Sequence, residues 1–296
     1  MAVDHTSGQP LRVRSLDGYP LGVTLFAAPQ PRAVLLVNTA VGISQRYYRP
    51  FAQYMAQHHF TTITYDYRGV GKSAPPRLTV DFAGGFRQLV TDTECLMQYA
   101  QSQCPGLPLG LIGHSIGGIL PLLTPENRKL DAMFTVGTQM AYPPDFGPGW
   151  WDNVKLRFQW FMLMPLLTRC YGYFPGERLK LGFADIPAQF VHEIAMRRHY
   201  ENIFDFLAEL NLPSHHLNLI CPTLAFSATD DPLCTPMAMT RLYSQLANAP
   251  VQYQRLNPAD IGADSIGHTR FFRRDLGRVL WPMAANWFTR QLVAPT

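Results

Sequence analysis

The sequence has few charged residues, few cysteines and no long apolar run, and each shortage excludes a class of protein. Charged residues are 16% of the chain, and its 25 basic and 21 acidic residues are scattered, whereas a nucleic-acid-binding surface has a basic stripe with a much larger excess. The five cysteines include no C-x-x-C pair, which indicates neither a disulfide framework nor a zinc ribbon. The most apolar stretch, 158–167, contains Pro165 and is half as long as the roughly twenty residues that a membrane span needs.

The N-terminus also lacks the features of a signal sequence. Residues 1–10 are polar and include Asp4 and His5, whereas a secretory signal has an apolar core. We therefore expect a soluble, reduced, cytoplasmic protein with no transmembrane segment and no nucleic-acid partner. Apolar residues, in contrast, are 47% of the 296 residues, which suits one large α/β domain or such a core with an inserted subdomain. The sequence does not indicate the oligomeric state.

Strand-like and helix-like segments alternate over most of the chain. An alternating stretch from Arg12 to Phe26 around Asp17-Gly18 predicts a hairpin. Short apolar runs predict further strands at 33–38, 61–66, 109–114, 131–137, 222–227 and 251–255. Amphipathic spacing predicts helices at 47–58, 81–103, 236–247 and 274–291. This alternation predicts a mostly parallel sheet of about eight strands with helices on both faces.

The alternation is interrupted between residues 142 and 216. This stretch begins with a loop rich in Pro, Gly and Trp and continues through aromatic-rich helical segments. We therefore expect a helical cap, 142–216, inserted between two parts of one core, 1–141 and 217–296. A buried subdomain core and an apolar acyl-binding surface explain its apolar group equally well. That group is Trp150, Trp151, Trp160, Phe161, Met162 and Met164.

The clearest chemical signal is Gly113-His114-Ser115-Ile116-Gly117, which matches G-x-S-x-G. It lies where a predicted strand ends and a predicted helix begins. A serine on such a tight, strained turn has its hydroxyl lifted off the sheet, and the flanking glycines are needed because the backbone approaches too closely for a Cβ. The pattern predicts Ser115 as a nucleophile.

A serine nucleophile needs a base, and the base needs a group that orients it. Asp230 and Asp231 follow the predicted strand 222–227 and are both candidates for the acid. His268 lies between the last predicted strand and the last predicted helix, in a loop at the same edge of the sheet. His114 precedes the serine and is interpreted as structural support, because its side chain should point away from the hydroxyl. The remaining histidines considered are better explained as solvated or capping residues: His58, His59, His215 and His216.

These segments together resemble the α/β-hydrolase superfamily, in which the residues of the triad follow the order Ser, Asp, His. The resemblance is to the branch that contains serine aminopeptidases and monoacylglycerol lipases, and more narrowly to a less characterised bacterial subgroup of predicted hydrolases. The narrower resemblance rests on Tyr48-Arg49-Pro50 and on 267–273. The resemblance to the branch rests on 65–73, which is similar to Y-D-x-R-G-x-G-x-S, on the 113–118 turn, on the loop around Asp231 and on Gly267-His268. The resemblance of this loop to G-x-x-D-P-x-x-x-P favours Asp231 as the acid and leaves Asp230 as its competitor.

The sequence departs from this branch after the third strand. The branch has His-Gly there, and the following residue donates a backbone N–H to the oxyanion, whereas this chain has Asn38-Thr39-Ala40. A backbone donor does not depend on its side chain, so the resemblance implies Ala40 and Ile116 as the oxyanion-hole donors, each worth about 3 kcal/mol. The Asn38 side chain is an alternative donor.

Two further patterns do not meet the requirements of their motifs. Gly71-Lys72-Ser73 resembles the end of a phosphate-binding loop, but Asp66 occupies the position of the required glycine. The stretch from His192 to Met196 resembles a zinc-protease helix, but Met196 replaces the second histidine. We therefore predict no metal and no cofactor.

The expected function is hydrolysis of an ester bond in a small or hydrophobic molecule, through a Ser115–His268–Asp231 triad and an acyl-enzyme. Alternatives on the same triad are an aminopeptidase, a thioesterase or an amidase. A non-catalytic binding protein with this fold is a further alternative. An aminopeptidase needs a carboxylate in the cap to hold a free α-amine, and Glu193, Glu201 and Asp205 are candidates.

Overall fold

The computed structural model describes residues 7–147 and 149–293. The strands within these ranges are β1 Gln9–Arg14, β2 Pro20–Phe26, β3 Ala33–Asn38, β4 Phe60–Tyr65, β5 Leu109–His114, β6 Ala132–Val136, β7 Tyr173–Phe174, β8 Ile186–Pro187, β9 Thr223–Ala228 and β10 Val251–Leu256. The α-helices are α1 Arg49–Gln57, α2 Phe86–Gln103, α3 Trp150–Phe158, α4 Met164–Tyr171, α5 Ala188–Arg197, α6 Ile203–Glu209, α7 Pro236–Tyr243 and α8 Arg274–Leu292.

Eight of these strands form one sheet in the order β1-β2-β4-β3-β5-β6-β9-β10. The pairs β1–β2 and β2–β4 are antiparallel, and the other neighbouring pairs are parallel. The predicted hairpin and the predicted eight-stranded, mostly parallel sheet are thus confirmed. The fold class is α/β.

Helices cover both faces of the sheet because successive strand residues point to opposite sides. In β3, Leu35 packs in a cluster with Phe51 of α1 and Phe288 of α8. Its neighbour Leu36 packs in the opposite cluster, which contains Leu96 of α2. Every residue of β3 and of β5 is buried, as expected for strands covered on both faces.

Three helical segments differ from the sequence-based expectation. Helix α7 ends at Tyr243 rather than at residue 247. Helix α2 begins at Phe86 rather than at residue 81, because the chain before it contacts α5. A Cβ on Gly84 would lie 2.6 Å from Pro187, and the Phe86 N–H donates to the Glu193 carboxylate at 2.6 Å. After β5 the chain forms two short 3₁₀ turns, 115–118 and 120–123, instead of an α-helix. The Gly117-Gly118 pair and Pro121 are poor α-helix formers, which explains this difference.

The segment from 142 to 216 contains α3–α6 and the antiparallel pair β7–β8. A π-helical turn, Gln159–Leu163, joins α3 to α4. The division of the chain into a core and a cap stays a prediction. Among the described residues, no helix has the length and apolar character needed to cross a membrane. All five cysteines are free.

Candidate active site

Ser115 lies directly after β5 in a strained backbone conformation. Its φ is 53°, in the left-handed region that residues other than glycine rarely adopt. A Cβ on Gly113 would lie 2.5 Å from the Cα of Gly118, and one on Gly117 would overlap the carbonyl of Asn38. The two glycines of the motif are therefore needed for the close backbone approach that the turn requires.

His268 is bound to Asp231. The His268 Nδ1 and an Asp231 carboxylate oxygen are 2.8 Å apart, and the Asp231 side chain is only 1% exposed. The same carboxylate accepts hydrogen bonds from the backbone N–H groups of Leu233 at 2.9 Å and Cys234 at 3.2 Å. These contacts hold the carboxylate in one orientation toward the imidazole.

The electrostatics of the pair follow from this contact. Burial raises the pKa of Asp231, but the adjacent His268 and the two N–H donors lower it by more, so the pKa lies below the ordinary aspartate value. Burial lowers the pKa of His268, but the charge of Asp231 and the hydrogen bond to it raise that pKa above the ordinary histidine value. Asp231 is therefore ionised at neutral pH.

Asp230 has different partners from its neighbour. Its carboxylate accepts hydrogen bonds from the Ser265 hydroxyl at 2.7 Å and from the backbone N–H groups of Ile266 at 3.0 Å and Gly267 at 2.9 Å. Asp230 thus holds the backbone that precedes His268. The structure brings Asp231, and not Asp230, to the imidazole.

Ser115 and His268 line the same cavity, of about 370 Å³. Among the described residues, the Ser115 hydroxyl has no hydrogen-bond partner, so the bond between serine and histidine that a triad needs is not formed in this structure. Catalytic hydrogen bonds in free enzymes are often long and tighten only when substrate binds. The geometry therefore joins His268 to Asp231 directly and places Ser115 on the same cavity wall.

The two expected oxyanion donors are in different situations. Ile116 and Ala40 both line the cavity, but the Ala40 N–H donates to the Tyr48 hydroxyl at 2.8 Å. Asn38 lies elsewhere: its side-chain amide donates to the carbonyl of Gly117 at 3.0 Å and accepts from the Tyr65 hydroxyl at 2.9 Å. Asn38 is fully buried and does not line the cavity.

Tyr48 is a residue at this site that sequence reasoning did not assign. Its hydroxyl lies 2.7 Å from Nδ1 of His114, and Nε2 of His114 lies 2.8 Å from the backbone carbonyl of His268. Burial lowers the pKa of His114 to about 3, so its ring is neutral and carries one proton. A carbonyl only accepts, so that proton is on Nε2, and Nδ1 accepts from Tyr48. The resulting chain of hydrogen bonds connects Ala40, Tyr48, His114 and the His268 loop.

The cavity wall is mostly apolar and is formed in part by the 142–216 segment. Of the 23 described residues that line it, nine come from that segment. Trp160 and Phe161 are among them, whereas Trp150, Trp151 and Met162 are exposed by 67%, 74% and 62%. Met164 is buried in the hydrophobic core, so the apolar group that the sequence presented as one set is divided among the cavity, the surface and the core.

Among the described side chains that line the cavity, Arg197 is the one that carries a permanent charge, and His268 can become charged by taking up a proton. Glu193 is buried, binds the Phe86 N–H and Gln189, and does not line the cavity. Glu201 pairs with Arg241, and Asp205 is exposed. None of these three acidic residues is in a position to hold a substrate amine beside Ser115.

Comparisons with known proteins agree with this architecture. The family model described as serine aminopeptidase, S33, matches residues 29–171. Human monoglyceride lipase is 30% identical over 98 residues, which is 33% of this chain and 31% of the human protein. Both matches fall short of the whole chain, and the family match ends before Asp231 and His268.

Solved structures share the fold over nearly the full length. A soluble variant of monoglyceride lipase from Saccharomyces cerevisiae superimposes with a TM-score of 0.72 at 14% identity and covers 99% of both chains. A carboxyl esterase from Bacillus coagulans has a TM-score of 0.63 at 14% identity and covers 97% of this chain and 99% of the esterase.

The sheet order, the strained serine turn and these likenesses define an α/β-hydrolase-fold protein. The chain resembles the serine aminopeptidase family over residues 29–171 and human monoglyceride lipase over 98 residues.

Proposed function

We propose that this protein is a serine hydrolase that cleaves an ester bond of a small or hydrophobic substrate through an acyl-enzyme. The observation that carries the proposal is the 2.8 Å contact between His268 and the buried Asp231, with Ser115 at positive φ on the same cavity. A neutral imidazole whose Nδ1–H donates to a carboxylate has its other nitrogen free to accept the serine proton.

The proposed reaction has two halves. The Ser115 hydroxyl oxygen attacks the ester carbonyl carbon while His268 takes the hydroxyl proton, and His268 returns this proton to the leaving alcohol oxygen as the C–O bond breaks. Water then attacks the acyl-enzyme, gives a proton to His268 and releases the acid, and the proton returns to Ser115. The ionised Asp231 orients the imidazole and stabilises its charged form in both halves.

Ile116 and Ala40 are the proposed donors to the oxyanion. Both line the cavity, which supports the assignment. Because the Ala40 N–H is bound to Tyr48 in the free protein, the substrate oxygen must displace or share the tyrosine hydroxyl as it binds. The Ile116 N–H comes directly after the nucleophile and needs no such exchange.

The composition of the cavity favours an ester substrate over a peptide with a free N-terminal amine. Among the described lining residues none is acidic, and the one permanent charge is the positive charge of Arg197. A free α-amine would meet a cation and no carboxylate. The esterase and lipase names of the structural neighbours point in the same direction. We further propose that 142–216 acts as a cap over Ser115, supported by its share of the cavity wall.

A fluorophosphonate probe tests the proposal. We expect stoichiometric labelling of the wild-type protein, no labelling of Ser115→Ala, and unchanged labelling of Ser102→Ala, which alters an exposed serine bound only to its own helix and to Gln103. Wild-type protein that has not been treated with the probe should hydrolyse p-nitrophenyl esters faster than aminoacyl anilides. A folded wild-type protein that never labels would establish the non-catalytic alternative, and a preference for the anilides would favour the aminopeptidase.

A further inference from the structure

Arg197 is a buried cation with most of its hydrogen-bonding capacity unused. It is the last residue of α5 and is 0% exposed. Its Nη1 donates to the carbonyl of Tyr200, but among the described residues Nε and Nη2 have no partner. Charged N–H groups without an acceptor are costly to bury, because they have lost their contact with water.

No carboxylate in the described residues pairs with this guanidinium. The nearby Asp145 is bound to Arg241, whose Nε and Nη2 donate to its two oxygens at 2.6 and 3.0 Å. Burial lowers the pKa of Arg197 to about 10, with the charge of Arg241 acting in the same direction. The side chain is nevertheless charged at neutral pH.

The two unused nitrogens are the pair that binds a carboxylate side-on. Nε and Nη2 present parallel N–H groups that match the two oxygens of a carboxylate. The same molecule contains two examples of this arrangement: Arg241 with Asp145, and Arg68 with Asp92, where Nε and Nη2 of Arg68 also donate to the two oxygens. Arg197 has the same free edge but no carboxylate on it.

Arg197 also lines the cavity that contains Ser115 and His268. We propose that the missing partner is a carboxylate of the substrate, so that the protein hydrolyses esters of carboxylate-bearing molecules; this rests on the proposed serine hydrolase function. The mostly apolar wall accommodates the hydrocarbon part of the substrate. Arg197 is 0% exposed in the free protein, so its Nε and Nη2 edge must turn into the cavity as it binds the anionic end.

The test compares esters that differ only in one carboxylate. The substrates are p-nitrophenyl hexanoate and mono-p-nitrophenyl adipate, which share a six-carbon acyl chain, and phenyl hexanoate and 4-carboxyphenyl hexanoate, which place the carboxylate on the leaving group instead. We expect the wild-type kcat/KM to be about tenfold or more higher for the anionic member of at least one pair. This preference should be lost in Arg197→Gln. It should be reduced in Arg197→Lys, which keeps the positive charge but lacks the two parallel N–H groups of the guanidinium. Arg169→Gln, an exposed cap arginine, should leave the preference unchanged.

The two pairs separate the acyl side from the alcohol side, and either preference supports the inference when it depends on Arg197. Equal rates for both members of both pairs, or a preference that persists in Arg197→Gln, would overturn it.

A binding measurement separates this inference from the proposed function. Adipate should raise the Tm of both the wild type and Ser115→Ala more than 1,6-hexanediol does, even if no ester is cleaved. If neutral esters are hydrolysed with Ser115 dependence but adipate has no effect on Tm and anionic esters are not preferred, the carboxylate site is wrong and the hydrolase assignment stands. If the Tm effect is present but no ester is cleaved and no probe reacts, the hydrolase assignment is wrong and the anion site stands.

Discussion

Asp230 and Asp231 are neighbours in the chain, but their carboxylates bind different parts of the His268 loop. Asp231 accepts from the imidazole, and Asp230 accepts from the backbone N–H groups of Ile266 and Gly267. One carboxylate therefore acts on the charge and orientation of the ring, and the other on the path of the main chain. Substitution of each should produce a different kinetic signature.

Asp231→Asn should lower kcat by about ten-thousandfold, the size of effect that this change has in serine proteases. Asp231 raises the pKa of His268, so the residual activity should also titrate at a lower pH. The base must be neutral, and activity therefore rises as pH increases through the His268 pKa. The pH profile of kcat/KM for a p-nitrophenyl ester measures both effects.

Asp230→Asn is the matched control. It keeps the acceptor oxygen for one backbone N–H and leaves the contact between Asp231 and His268 in place, so the acid limb of the profile should stay where it is in the wild type. A larger shift of the acid limb of the kcat/KM profile in Asp230→Asn than in Asp231→Asn would show that the roles of the two carboxylates are reversed.

The sequence predicted some residues of the site and not others, for reasons that are physical. Ser115 can be predicted from the sequence because its turn requires glycines at fixed positions. The roles of Tyr48 and Arg197 cannot be predicted in this way, since neither residue is part of a local pattern that marks its role. Their importance comes from contacts with residues distant in the chain, such as His114 for Tyr48 and the cavity wall for Arg197. The hydrogen bond from the Ala40 N–H to the Tyr48 hydroxyl cannot be predicted from the sequence for the same reason.

At the scale of the element, Tyr48 joins three segments that meet at the carboxyl edge of the sheet. It immediately precedes α1, and its hydroxyl binds the loop after β3 through Ala40 and the end of β5 through His114. His114 in turn binds the loop after β10 through the carbonyl of His268. The relative positions of these loops depend on one buried hydroxyl.

Tyr48→Phe should lower the free energy of unfolding by about 1–3 kcal/mol, because it leaves the buried His114 Nδ1 and the Ala40 N–H without a partner. Tyr47→Phe is the control: the Tyr47 hydroxyl, which is partly buried, donates only to the carbonyl of Thr269, and its loss should cost about 1 kcal/mol or less. Denaturant titration gives both values. Equal losses in the two variants would contradict the central position of Tyr48.

The accuracy of the predicted elements depended on where their stabilising contacts lie. The prediction for β3 and β5 was correct residue for residue, since their apolar runs are buried throughout. The start of α2 was wrong by five residues, because it is fixed by Glu193 and Pro187 from the 142–216 segment. A boundary set by a distant segment leaves little trace in the local sequence.

At the scale of the whole molecule, the two histidines near the serine have opposite effects on stability. His114 has a folded-state pKa of about 3 against an ordinary value of 6.5, so between these values the unfolded chain binds a proton that the folded protein does not. Stability therefore falls as pH decreases through this interval. His268 has a raised pKa, so it adds stability below the ordinary value, and that contribution is lost as pH rises through its folded pKa.

His114→Asn should therefore reduce the slope of the free energy of unfolding against pH on the acid side. The wild type should lose up to about 1.4 kcal/mol per pH unit from this one group as the pH falls from 6.5 toward 3, and the variant should lack that part of the slope although it is less stable at neutral pH. His192→Gln, which changes an exposed histidine on α5, should keep the wild-type slope. Urea titrations at several pH values measure the slopes, and parallel slopes for His114→Asn and the wild type would contradict the assignment.

The adjacent carboxylates after β9 also constrain how this protein can change during evolution. A deletion or insertion next to them would shift the chain by one residue and exchange the groups that face the imidazole and the main chain. Related sequences are then expected to vary in side chains around this loop more freely than in its length. Gaps in an alignment should accumulate in other surface loops before they reach this one.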